Sequence, residues 1–268
     1  MLNPFFTSGE FQAINRAFLS GDAVEVSFFV RNSKLIMAEE CYFFLMASMR
    51  KMRMNIPLSY TLEFFERLFQ ENIIDKGIFN GIIRFVAYRN FTEELLSKAE
   101  VSYYFDVKKI GDVISLQKDF EMDMIKEINV NTNLLSNIRV HCPENIYAEI
   151  YAKENDLDDV ILLNPNKRIA RSIFGNLLFL EGNLIKIPKQ TEGAYISPLM
   201  ENFVTFVHQR NLAQIVESEM IGFESQKAEE ILMVSDTKGI SPVTKIRNKT
   251  FGKERFSEMI NEWKASFQ

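Results

Sequence analysis

The chain has 268 residues, 47% hydrophobic and 25% charged, with 24 Phe and a net charge of −5. These values describe a globular chain with a large core and argue against a disordered segment or a general nucleic-acid binder. Two cysteines, Cys41 and Cys142, and two histidines, His141 and His208, leave little for a disulfide framework or a His/Cys metal site.

Taken in chain order, period-2 and short apolar runs predict strands near Val24–Val30, Ile82–Tyr88 and Val101–Val107. Further runs follow at Val160–Leu163, Leu177–Leu180, Leu184–Ile187, Ile215–Glu219 and Ile231–Val234. Helical patterns lie between them. Ala38–Met54 carries Cys41, Leu45, Met49 and Met52 on one face, and Thr61 is placed to cap a helix running to Glu71. Pro143 and Ser197-Pro198 each mark a helix start, and Phe256, Met259, Ile260 and Trp263 recur at helical spacing near the end. Strands and helices mix without strict alternation, which predicts an α+β class. The charged stretch Lys108–Lys118 reads as a crossing, giving a small lobe over 1–110, a linker over 111–118 and a larger lobe over 119–268.

Charge and chemistry along the chain point to few sites. Lys245, Arg247, Lys249, Lys253 and Arg255 form the strongest basic run, weighed as an anion site but read first as the wet face of a strand. His141 and Cys142 are adjacent, and side chains at i and i+1 diverge, so they are not read as a base and its nucleophile. No Walker-type loop, Gly-x-Gly-x-x-Gly, Gly-x-Ser-x-Gly or Cys-x-x-Cys is present. No apolar stretch approaches the length of a membrane span and the first residues do not form a secretion signal, so a cytoplasmic protein is expected.

Five stretches, in order, resemble the class IV aminotransferases, the group that includes branched-chain aminotransferases and aminodeoxychorismate lyases. Asn15-Arg16-Ala17-Phe18-Leu19-Ser20-Gly21-Asp22 is similar to the family's entry strand, and Leu45–Arg50 to its Arg-Leu-x-x-Ser helix. Ile150–Asn164 resembles a helix-to-strand passage, Asn176–Phe179 with Gly182 and Pro188 a hairpin, and Lys238–Val243 a late Gly-Ile-x-Pro-Val loop. The resemblance implies a two-lobed, fold-type IV (D-amino acid aminotransferase-like) architecture with a pseudo-barrel sheet in the larger lobe. It also implies pyridoxal phosphate (PLP) between the lobes and a homodimer.

That chemistry requires an amine for the Schiff base, a carboxylate facing the pyridine nitrogen and donors around the phosphate. Carried over residue by residue, the family's lysine falls at Ile138 without a gap or at Arg139 with one deletion, and no lysine occurs between Glu127 and Ala152. The carboxylate position is Arg171, which reverses the charge. The phosphate-binding arginine position is Phe44, and the second phosphate element, Gly193–Met200, has Ser197 for its second glycine and Met200 for its arginine. Pro198 removes a backbone donor there. Only Thr237, Lys238, Gly239 and Ile240 still look able to present backbone donors to an anion. Arg139 and Arg171 are read first as ordinary surface charges.

The expectation is a non-catalytic relative, a pseudoenzyme without PLP, in a binding, regulatory or assembly role. One alternative is an active aminotransferase or lyase using a relocated Lys108, Lys109 or Lys126. Another is reuse of the cleft between the lobes for a small anionic ligand, with Arg171 and Arg139 lining it. No nucleic acid, membrane or metal is expected.

Overall fold

The computed structural model describes residues 5–7, 14–91 and 99–267. The chain divides into two compact units, one of 1–113 with 138–141 and one of 114–137 with 142–268.

The first unit is built on an antiparallel sheet ordered β1-β5-β4-β2-β3. Its strands are β1 (Phe5–Thr7), β2 (Ala23–Arg31), β3 (Lys34–Ile36), β4 (Gly81–Arg89) and β5 (Val101–Lys109). Helix α1 (Arg16–Ser20) lies where the family resemblance implied a strand. The Asn15 side chain accepts from the Phe18 N–H at 3.0 Å, and Gly21 closes the turn at φ 64°. These two punctuation residues outweigh the resemblance locally. Helices α2 (Ala38–Lys51) and α3 (Leu62–Phe69) follow, with Thr61 capping α3 as its sequence predicts and a π-helical turn at Gln70–Ile74.

Aromatic rings dominate this core. Phe28, Phe65, Phe69, Phe85 and Phe105 are all fully buried, with Phe28–Phe69 centroids at 4.8 Å, Phe65–Phe85 at 5.2 Å and Phe69–Phe105 at 5.4 Å. Most of these pairs are tilted or edge-on, which the ring quadrupole favours.

The second unit carries a nine-stranded mixed sheet ordered β11-β10-β9-β12-β13-β6-β7-β8, with β14 paired to β13. Its strands are β6 (Phe120–Met124), β7 (Asp159–Leu163), β8 (Ile169–Ser172), β9 (Asn176–Glu181), β10 (Leu184–Pro188), β11 (Gln214–Ser218), β12 (Glu230–Ser235), β13 (Gly239–Ile246) and β14 (Lys249–Thr250). The pairs β10/β11, β13/β6 and β6/β7 are parallel. Every residue of β7 is buried, which is why Val160–Leu163 reads as an unbroken apolar run. One apolar cluster gathers Phe120, Met122, Ile161, Phe179 and Met233, and another sets Val160, Leu162 and Ala170 with Ala148 and Ala152 of α4 (Pro143–Glu154). Helices α5 (Pro198–Gln209) and α6 (Glu254–Ala265) join through Phe203 and Trp263, centroids 5.2 Å apart.

The basic run is held by acids and by backbone and side-chain oxygens of the same unit. Lys245 pairs with Glu121, Arg247 with Asp123, and Lys253 with Asp119 on or beside the adjacent parallel strand β6. Lys249 donates to the Gln226 and Ala228 carbonyls, and Arg255 to the Gly182 carbonyl and Asn183.

Candidate functional site

The residues singled out from the sequence in the second unit gather around β7, β8 and the starts of α4 and α5. Asp159, at the head of β7, is fully buried, and its carboxylate accepts from the Val160 N–H at 2.7 Å and the Ile173 N–H at 2.9 Å, with Phe174 at 3.5 Å. Burial pushes its carboxyl up to about 6 against the pull of these donors. Ser172 Oγ and the Gly175 N–H complete the turn at 3.0 Å. Gly175 is required there, because a Cβ would run into the Val234 carbonyl. The chain between Arg171 and Asn176 is therefore held from both sides.

Asn176 extends that order to the next segment. Its side chain donates to the Tyr195 carbonyl at 2.8 Å and accepts from the Tyr195 N–H at 2.9 Å, as a neighbouring strand would. Asn137 adds donations to the Gln190 and Ala194 carbonyls, each at 2.7 Å, and its own carbonyl accepts from Ile196. Tyr195 is thereby fixed with its ring over Arg171, the guanidinium carbon 4.2 Å from the centroid.

Arg171 is not the surface charge its sequence context suggests; it is 3% exposed. Its Nη1 donates to the Ser172 carbonyl at 2.9 Å, its Nη2 faces Cys142 Sγ at 3.7 Å, and its Nε has no hydrogen-bond partner. No carboxylate among the described residues forms an ion pair with it. A guanidinium does not shed its proton, so the buried charge persists. The Cys142 thiol, at the N-cap of α4, donates to Glu144 at 3.2 Å. Burial raises its pKa, and the Arg171 charge only partly offsets that. His141 is exposed, with its ring base against Gly21.

At the start of α5 the Ser197 side chain caps the Met200 N–H at 3.1 Å, as its sequence predicts. The same hydroxyl donates to Asp236 Oδ1 at 2.7 Å, and that oxygen also accepts from the Leu199 N–H at 3.3 Å. Asp236 is buried. Its charge reaches further into the helix: burial first, then Asp236 and Glu217, raise the Glu201 carboxyl. This helix start is thus already served by an internal anion.

Thr237–Ile240 follows directly. The Thr237 and Lys238 N–H groups point to Ser235 Oγ at 3.2 and 3.1 Å, Lys238 lies over the Phe174 ring, and Gly239 turns the chain at φ 85°. Phe44, Ile138 and Met200 are buried apolar side chains. Arg139 is half-buried in an isolated bridge with Glu25, and Lys108, Lys109 and Lys126 are exposed. No cluster of three or more His, Cys, Asp or Glu suited to a metal ion occurs among the described residues. Likewise, no helix among them is long and apolar enough to cross a membrane.

The family model for amino-transferase class IV matches residues 28–246. The chain belongs to the class IV aminotransferase family. Solved structures agree on the α+β, fold-type IV architecture. A branched-chain aminotransferase from Thermoproteus uzoniensis aligns with TM-score 0.86 at 15% identity, over 97% of this chain and 93% of that one. A Legionella pneumophila protein assigned as a 4-amino-4-deoxychorismate lyase aligns with 0.84 at 18%, over 96% of each. The Escherichia coli branched-chain aminotransferase gives 0.84 at 13%, over 97% and 92%. No curated protein sequence matches the chain.

Within this class IV member, sequence reasoning missed Asp236, Asp159 and the Asn176 clamp. One signal for Asp236 was available: an acid closing the apolar run Ile231–Ser235, immediately before the Thr-Lys-Gly turn.

Proposed function

We propose that this class IV aminotransferase-fold protein does not work through PLP and serves a non-catalytic binding, regulatory or assembly role. The observation that carries the reading is Asp236, whose carboxylate takes the Ser197 hydroxyl and Leu199 N–H at the start of α5. This is the element that resembles the family's second phosphate-binding segment. A phosphate there would stand beside a buried carboxylate. Two like unit charges about 4 Å apart repel by about 4 kcal/mol at an effective dielectric near 20.

The other end of the expected cofactor site supports the same reading. Arg171 puts a buried cation where the resemblance calls for a carboxylate, and a cation opposes protonation of a pyridine nitrogen. Ile138, Arg139, Phe44 and Met200 supply neither the amine nor the phosphate donors. The residues present do not fit PLP. The test is titration of the purified protein with PLP, followed by absorbance and by equilibrium dialysis. Wild-type protein is expected to retain no stoichiometric cofactor; retention of one equivalent per chain would contradict the proposal.

A second reading is favoured by one observation, that no carboxylate among the described residues forms an ion pair with buried Arg171. A small anion bound by that guanidinium would offset a burial cost of several kcal/mol. Thermal-shift screening of small carboxylates against wild type and Arg171→Glu tests it: stabilisation that survives in the variant removes the support. A homodimer is proposed as well, to be checked by light scattering.

A further inference from the structure

A cavity of about 810 Å³ opens in the second unit, lined by none of the residues of the Arg171–Asp236 site. Its volume lies in the range of small-molecule sites. Met124, Leu163 and Ile246 form apolar wall, and Ile221 and Phe223 bring large hydrophobic side chains to it while 52% and 68% exposed. Gly222 lets the wall close, since a Cβ there would meet the Met124 thioether at 2.6 Å.

Among the described residues four cations line this cavity, Lys126, Lys167, Arg247 and Lys249, and no carboxylate does. Arg247 is neutralised by Asp123. The other three form no ion pair among the described residues. Lys249 is held in place by the Gln226 and Ala228 carbonyls, which fix its ammonium without cancelling its charge. Lys167 reaches only the Asn129 side chain, at 3.4 Å. The nearby acids are occupied with backbone: Glu127 accepts from the Lys126 N–H and Glu224 from the Ile221 N–H.

We propose that this cavity binds a small amphipathic anion, a carboxylate head on an apolar body, with Lys126, Lys167 and Lys249 around the head and Phe223, Ile221 and Met124 along the body. An apolar body without a head would leave the cations unmatched. An anion without a body would leave the exposed Phe223 ring and Ile221 side chain in water. Three cations beside an apolar wall match one ligand that carries both features.

The test is calorimetric titration of the full chain with decanoate below its micellar range, in parallel with decanol and acetate. Saturable binding near one equivalent is expected for decanoate, at least tenfold tighter than for either control. Lys126→Glu/Lys167→Glu, both positions exposed, should weaken decanoate at least tenfold while the circular dichroism and melting temperature stay unchanged. Phe223→Ser should weaken it independently of salt. Absence of saturable decanoate binding, equal binding of decanol, or an unaffected double variant would each overturn the proposal. So would Phe223→Ser converting a dimer to monomer in light scattering without decanoate binding by wild type, which would assign the face to a second copy of the chain.

Discussion

Two positively charged regions of the second unit behave in opposite ways. The run Lys245, Arg247, Lys253 is conspicuous in the sequence, yet each of these cations meets an acid of the β6 segment. Arg171 follows Lys167 and Arg168 closely in the sequence and nothing local sets it apart, yet it is the buried cation with no ion pair among the described residues. A dense patch at a sheet surface finds counter-charges on the parallel neighbour at little cost. One inward-facing guanidinium must instead be supported by a ring, a carbonyl and the rigid turn that aims it.

The sharpest way to break this contrast is to loosen that turn. Asp159→Ala leaves the Val160 and Ile173 N–H groups without an acceptor and should cost about 3 kcal/mol, read from urea midpoints. Asp159 also predicts a pH signature. Its folded pKa, about 6, lies above its unfolded value, so the folded state holds the proton more tightly. Its contribution to stability is fully present below the unfolded pKa and is lost as pH rises through about 6. Over that window wild type should lose roughly 3 kcal/mol relative to Asp159→Asn. A wild type that gains on the variant as pH rises would contradict the assignment.

Arg171→Met comes next. It removes the uncompensated charge and keeps much of the volume, so it should stabilise the protein by about 1–2 kcal/mol in urea unfolding without added ligand. A loss of similar size would mean the guanidinium is satisfied as it stands. Asp236→Thr should then raise inorganic phosphate affinity about tenfold, about 1.4 kcal/mol, by calorimetry, because the Leu199 N–H loses its internal anion. Smallest is Glu121→Gln, which breaks the exposed pair with Lys245 and should shift stability by less than about 0.5 kcal/mol.

The sequence makes some of this legible for identifiable reasons. Thr61 and Ser197 announce α3 and α5 because a cap is a local contact, and the apolar face of α6 repeats at 3.6 residues. Strand β6, Phe-Glu-Met-Asp-Met, is short and carries two acids, and its partners lie far along the chain, so no local signal isolates it. At the site, the missing groups are plain because a phenylalanine or an isoleucine supplies neither amine nor guanidinium. The burial of Arg171 and the bond from Ser197 to Asp236 are not, since they join residues brought together only by the sheet.

The central claim is tested most directly by treating the protein with PLP and borohydride and mapping the peptides by mass spectrometry. The account predicts no stoichiometric pyridoxyl label on any lysine. A single lysine labelled to one equivalent, at 108, 109, 126 or elsewhere, would contradict it.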